Sequence, residues 1–201
     1  MAKLLLGTHN RGKQDELRAL LARQSLEILS PQDLGLNVRV DESGANYAEN
    51  ARLKAVAFAA QSGLWSLSDD SGLEVEVFDG APGLRSARLA GHGKSDLERR
   101  RRLLEMLGGH PRPWKARFRA TVVLAGPSGE IELAEGQCAG EIIPEERGTG
   151  GFGYDPIFLV YGTGQTMAEL GTVEKNQISH RARAVEAIRP ILDASLGLTE
   201  G

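Results

Sequence analysis

Several things are missing from this chain, and each absence excludes a class. A single cysteine, Cys138, rules out an intramolecular disulfide and any cysteine-based zinc site, and it fits a reducing cytoplasm. Positive charge is not in excess: the formal net charge is −3, so no basic field argues for nucleic acid or an anionic membrane as partner. His9, His92 and His110 show no metal-ligand spacing. The start, MAKLLLGTHN, has only three consecutive leucines, too short for a signal-peptide core or a membrane span. Aromatics are scarce at 5%, while glycine reaches 25 residues, a balance that implies tight turns and close backbone approaches. Neither repeats nor low-complexity tracts appear. The expectation is a soluble cytoplasmic protein.

What is present suits one domain over residues 1–201, since 41% hydrophobic and 25% charged residues can build a sizeable core. A short buried strand at 3–6 and a helix at 14–23 flank the polar loop Gly7-Thr8-His9-Asn10-Arg11-Gly12-Lys13. That junction is an ordinary strand-to-helix turn, or a phosphate site built from free N–H groups with Lys13 as a point charge. Its spacing is not that of a Walker loop. A strand at 26–29 follows, then Glu42, either a solvated turn carboxylate or an acidic ligand. Asn46 and Glu49 have capping-box spacing for a helix with Ala51, Ala55, Phe58 and Ala59 as its buried stripe and Gly63 as its stop. Lys54 on that helix reads as solvent-facing.

Ser68-Asp69-Asp70-Ser71-Gly72 lies between an apolar run and the alternating Leu73, Val75 and Val77, and so reads as a corner between two strands. Asp, Ser and Gly favour a plain polar turn. Two adjacent carboxylates also suit a divalent cation, or a proton taken from an attacking water. Farther on, Ser95 and Glu98 form a second capping box, with Leu97, Leu104 and Leu107 on one face. The arginine run at 99–102 points around the whole helix and reads mainly as a solvated face. Strands at 115–125 and 131–143 flank the hairpin signal Gly126-Pro127-Ser128-Gly129, with Cys138 as a small buried hydrophobe.

The stretch 148–156 is glycine-rich and carries Phe152, Tyr154 and Asp155, so its backbone can lie flat on a ligand while both aromatics stack on a ring. A further strand is expected at 157–160. Ser179 is a fair N-cap, placing His180 and Arg181 in a helical first turn that, with Lys175, suits an anion or an electron-rich base edge. Lysines and helix starts suit phosphates, carboxylates suit a hard cation, and a glycine–aromatic loop suits a planar base. Together they describe a nucleoside triphosphate site with Mg²⁺.

The ordered motifs also resemble a known family, the inosine/xanthosine triphosphate pyrophosphatases. The resemblance runs over about residues 3–190, through the loop from Thr8 to Lys13, Glu49-Asn50-Ala51 with Lys54-Ala55, Asp69-Asp70-Ser71-Gly72-Leu73, and Gly80-Ala81-Pro82-Gly83 with Ser86-Ala87-Arg88. It continues through Gly150-Gly151-Phe152-Gly153-Tyr154-Asp155-Pro156, Glu174-Lys175-Asn176 and Ser179-His180-Arg181. The pyrimidine-directed pyrophosphatases carry a Ser-x-Arg-Arg type loop near the N-terminus, where this chain has Thr8-x-Asn10-x-x-Lys13.

The resemblance implies an elongated α/β fold, a mixed β-sheet with flanking helices in two lobes around a central nucleotide cleft, assembled as a homodimer. It implies hydrolysis of deaminated purine nucleoside triphosphates to monophosphate and pyrophosphate. Asp70 would be the catalytic base or metal-linked carboxylate, Glu42 and Asp70 the Mg²⁺ ligands, and Asp69 and Glu49 acidic helpers. Substrate would meet Thr8, His9, Asn10, Arg11, Gly12, Lys13, Lys54, Ser71, Phe152, Gly153, Tyr154, Asp155, Lys175, His180 and Arg181, the later ones largely at the base.

Overall fold

The computed structural model describes residues 1–198. Among these, strands β1 (Ala2–Leu6), β2 (Leu26–Leu29), β3 (Trp65–Val75), β4 (Trp114–Ala125), β5 (Ile131–Ile142) and β6 (Phe158–Val160) form one sheet. The strand order is β2-β1-β3-β4-β5-β6. β1 runs parallel to both β2 and β3, and β5 runs antiparallel to β6, so the sheet is mixed. The expected hairpin forms, with Gly126 N–H donating to Glu130 C=O at 2.9 Å between β4 and β5.

The helices are α1 (Arg11–Leu21), α2 (Tyr47–Ser62), α3 (Asp96–Leu107), α4 (Thr172–Ile178) and α5 (His180–Leu196). Their starts follow local chemistry. α1 begins three residues earlier than the apolar spacing suggests, because the Asn10 side chain caps it by accepting from Lys13 N–H at 3.0 Å. The Asn46 side chain accepts from Glu49 N–H at 2.9 Å, and Gly63, at φ 66°, ends α2 in the left-handed region. Ser95 and Glu98 make the reciprocal capping box of α3. On α3 the buried residues are Leu103 and Leu107, whereas Leu97 is 40% exposed, so the expected leucine stripe is displaced. The seven-residue α4 was not legible as a helix; only Ser179 separates it from α5.

The main departure from the sequence expectation concerns residues 68–72. They form no corner: β3 runs straight through them, and Ser66, Ser68 and Asp69 are wholly buried. The alternating segment expected at 73–78 is the end of this same strand, followed by a 3₁₀ turn at Glu76–Phe78.

Two compact units share the chain. One comprises Met1–Asp70, Ala120–Gly136 and the residues from Arg181 onward; the other comprises Ser71–Arg119 and Gln137–His180. The first packs Leu4, Leu6, Leu17, Leu67, Val122, Val185 and Ile188 into its core. The second packs Leu73, Leu103, Leu107, Trp114, Phe118, Cys138, Tyr154 and Phe158, which makes Cys138 the buried hydrophobe expected. Among the described residues no helix is long and apolar enough to cross a membrane.

Candidate active site

In the first unit, charged side chains converge from four elements onto the polar middle of β3. Lys13, from the first turn of α1, places Nζ 3.2 Å from Asp69 Oδ2 and 3.3 Å from the Asp69 carbonyl. Arg181, at the start of α5, donates to the same Oδ2 through Nε at 3.1 Å and Nη2 at 2.9 Å. Its Nη1 pairs with Glu16 of α1. On the next residue of β3, Asp70 Oδ1 lies 3.2 Å from Lys54 Nζ, and Oδ2 accepts from Asn50 Nδ2 at 3.3 Å. Lys54 Nζ also reaches Glu42 Oε2 at 3.3 Å, so one ammonium bridges two carboxylates. Asn50 and Lys54 stand one turn apart on α2, and that spacing puts both on the face toward β3. Asn50 Oδ1 in turn accepts from Gly44 N–H at 2.8 Å, which steadies the loop that carries Glu42.

The two aspartates are neighbours with opposite electrostatics. Burial works to raise the Asp69 carboxyl, but Arg181, Lys13 and Lys54 outweigh it and hold it far below the usual carboxylate range. Burial dominates at Asp70 and pushes its carboxyl up, with Lys54 and Lys13 only partly offsetting it. Lys13 is lowered by burial, against Asp69. Lys54 is held up, because Asp70, Asp69 and Glu42 overcome its desolvation. Asp69 is therefore held as a charged counter-ion, whereas burial favours the neutral form of Asp70.

The glycine at the β1–α1 junction has no room for a side chain. A Cβ on Gly7 would come within 2.1 Å of Ser68 Oγ and 2.9 Å of Phe58 Cδ2. This close approach lets Ser68 Oγ donate to the Gly7 carbonyl at 2.9 Å and seats the Thr8–Lys13 loop against β3. Thr8 is buried, and Gln14 Nε2 holds its carbonyl at 2.7 Å.

In the second unit, the glycine-rich stretch is pinned by its own polar groups. Asp155 Oδ2 accepts from Phe152 N–H at 3.1 Å and from Lys175 Nζ at 2.7 Å. Lys175 Nζ lies 5.9 Å from the centre of the Phe152 ring. The His180 ring stacks on Phe118, 4.8 Å between centres and 15° from parallel.

The Ham1 family description matches residues 4–191. The chain belongs to the Ham1 family. A dITP/XTP pyrophosphatase of Desulforamulus reducens is 45% identical over 192 residues, which cover 95% of this chain and 96% of that protein. Its counterpart in Gloeobacter violaceus is 47% identical over 189 residues, covering 94% and 93%. A HAM1 protein structure from Coxiella burnetii superposes with a TM-score of 0.85 at 36% identity, covering 96% of this chain and all of that one (100%).

Against this Ham1 fold, the residues singled out in the sequence divide. Lys13 and Arg181 pair with Asp69, and Lys54 pairs with Asp70 and Glu42, giving two ion-paired sets on neighbouring residues of β3. Lys54 is buried and does not face solvent. Arg181 is 1% exposed and gives its guanidinium to Asp69 and Glu16, a use the anion-site expectation did not include. His9 Nε2 lies 2.9 Å from the Val38 carbonyl, while Arg11 is exposed on the helix start. Glu49 serves the cap of α2, accepting from Ala45 N–H at 2.7 Å and from Asn46 Nδ2 at 3.0 Å. Tyr154 is not open for stacking on a ligand: its ring lies in the core at 4% exposure and its hydroxyl donates to the Ser86 carbonyl at 2.8 Å. Glu16 and Asn50 were not picked out as site residues; the four-residue spacing of Asn50 and Lys54 was the available signal.

Proposed function

We propose that this Ham1 chain hydrolyses the deaminated purine nucleotides dITP/ITP and XTP/dXTP to the monophosphate and pyrophosphate, keeping them out of DNA and RNA. The observation that carries this reading is Asp70. It is a buried carboxylate with a raised pKa, flanked by Lys54 and Asn50, beside an Asp69 whose charge is locked by Arg181 and Lys13. The names of the Desulforamulus reducens and Gloeobacter violaceus relatives support the substrate class.

The donor set fits a hard divalent cation. Glu42 and Asp70 turn oxygens toward one ammonium, and Asp69 Oδ1 is buried without a hydrogen-bond partner. Among the described residues no group of three or more His, Cys, Asp or Glu forms a cage. Mg²⁺ needs no such cage, since it takes one or two carboxylates and completes its shell with water and substrate phosphates. Glu42 and Asp70 would hold it, and when bound it would supply neutralisation of phosphate charge.

The side chains define the remaining steps. Thr8, Asn10, Lys13 and Lys54 bind and orient the triphosphate, with the backbone of Arg11 and Gly12 at a helix N-terminus favouring its negative charge. Asp70 takes a proton from the attacking water as its oxygen bonds to the α-phosphorus. The bond from the α-phosphorus to the bridging oxygen breaks, and pyrophosphate leaves with that electron pair. In the second unit we assign Phe152 to stacking on a purine base, and Ser71, Gly153, Asp155, Lys175 and His180 to its recognition. Donors reading a 6-oxo group meet another donor in the 6-amino group of adenine, a mismatch of the costly kind.

Pyrophosphate release from ITP, dITP, XTP, GTP, ATP and dTTP, with and without Mg²⁺, tests the reading. Turnover concentrated on ITP, dITP and XTP and requiring Mg²⁺ is expected; equal turnover across the panel rejects it. We place the enzyme in the cytoplasm as a homodimer, and light scattering that returns a monomer at micromolar concentration removes the second part.

A further inference from the structure

The arginine run at 99–102 finds its use in the second unit. Arg100 Nη1 donates to the Gly153 carbonyl at 2.9 Å, while its Nε and Nη2 make a two-point pair with Glu146, both at 2.9 Å. One turn earlier on α3, Asp96 Oδ2 accepts from Gly153 N–H at 2.7 Å. Arg99 pairs with the other oxygen of that carboxylate and also donates to the Lys94 carbonyl at 2.6 Å. The N–H and the C=O of a single residue are thus both gripped by the same helix. Each grip is oriented by a second ion pair, Arg99 behind Asp96 and Glu146 behind Arg100. Gly153 sits at φ +64°, a conformation that glycine adopts without strain and other residues rarely do. On either side of it, Phe152 and Tyr154 diverge, with Tyr154 buried in the core and Phe152 half exposed.

We infer that Asp96 and Arg100 are positioning residues for base recognition: they clamp the Gly153 peptide and so fix the angle at which Phe152 meets the base. This rests on the reading of 152–155 as the base-binding loop. Hydrogen bonds to a charged partner are the strong ones, and the pair with Glu146 leaves Arg100 one preferred orientation. The clamp acts on where the base lies, not on the phosphorus that reacts. Its loss is felt in substrate binding and base discrimination, with the chemical step spared.

The test compares Arg100→Met and Asp96→Ala with Arg102→Met, a member of the same run whose only shown partner is Glu105, in an exposed pair. Phe152→Ala reports on the loop itself. For Arg100→Met and Asp96→Ala, KM for dITP is expected to rise about tenfold, the scale of one charge-assisted hydrogen bond. Their kcat should stay within about twofold, and the preference for dITP over dGTP should shrink. Arg102→Met should match wild type. Hydrogen exchange at the Gly153 amide should speed up in Asp96→Ala, a readout that does not depend on turnover. If Phe152→Ala raises KM while Arg100→Met and Asp96→Ala leave KM and selectivity unchanged, the clamp is overturned and the base-loop reading stands. If Phe152→Ala also changes nothing, both fall. A loss confined to kcat or to melting temperature, with selectivity intact, also overturns the clamp, since that is the signature of a merely structural role.

Discussion

Asp69 and Asp70 differ by one position and by the sign of their pKa shift, and substitution should separate them. Asp69→Asn leaves Arg181 and Lys13 buried without their shared acceptor charge, a loss on the order of 3–5 kcal/mol, read as a fall in melting temperature. Asp69 is depressed below its ordinary value of 3.8, so its contribution to stability is fully present above that pH. It fades as pH falls from there toward the folded value, and Asp69→Asn should remove that part of the acid sensitivity. Asp70 is raised, so its ionised form costs stability once pH passes its folded value. Asp70→Asn should therefore abolish pyrophosphate release while leaving the melting temperature at neutral pH unchanged or higher. If Asp70 is the base, activity rises with pH as its carboxyl ionises, which gives kcat/KM an acid limb. Lys54→Met removes the nearest cation and should move that limb to higher pH. A limb that stays put takes Lys54 out of the electrostatics of the base.

At the scale of elements, the caps were readable because they are local: Asn46 with Glu49 and Ser95 with Glu98 each act within four residues. The course of β3 was not. A run of Ser, Asp and Gly in the middle of a strand contradicts the alternation that marks strands. The partners that make it tolerable, Lys13, Lys54 and Arg181, lie far away in sequence. The identity of the charged residues was therefore legible while their mutual pairing was not. Tyr154 shows the same limit, since a ring beside a glycine loop looks alike whether it faces ligand or core. Close strand contact gives an element-scale prediction at Gly140. A Cβ there would stand 2.3 Å from the Leu159 carbonyl and 2.7 Å from the Phe158 ring, so Gly140→Ala should prise β6 from β5. The overpacking cost is about 1–3 kcal/mol, measurable by urea unfolding.

For the whole molecule, the chain forms two compact units, and the first is assembled from three separate segments. The chain passes between units four times without a linker, at Asp70 to Ser71, Arg119 to Ala120, Gly136 to Gln137 and His180 to Arg181, so no shift of composition marks the crossings. α5 closes the first unit's core with Ala184, Val185, Ile188 and Leu192, and it carries Arg181 to Asp69. A chain truncated after His180 should therefore fail to fold. Circular dichroism showing a cooperative melt in that fragment would contradict the assignment of α5 to the core.

The placement of the aspartates within β3 bears on how such an enzyme can diversify. The carboxylate proposed to react, Asp70, is fixed in an interior strand, where an insertion or deletion would shift the register of the sheet around it. Three of the residues proposed to meet the base, Phe152, Gly153 and Asp155, lie outside the sheet, where a substitution leaves that register in place. Transplanting 148–155 from a relative should therefore alter which base is accepted and leave the hydrolytic reaction as it was. In this architecture the reaction is inherited and substrate preference is negotiable.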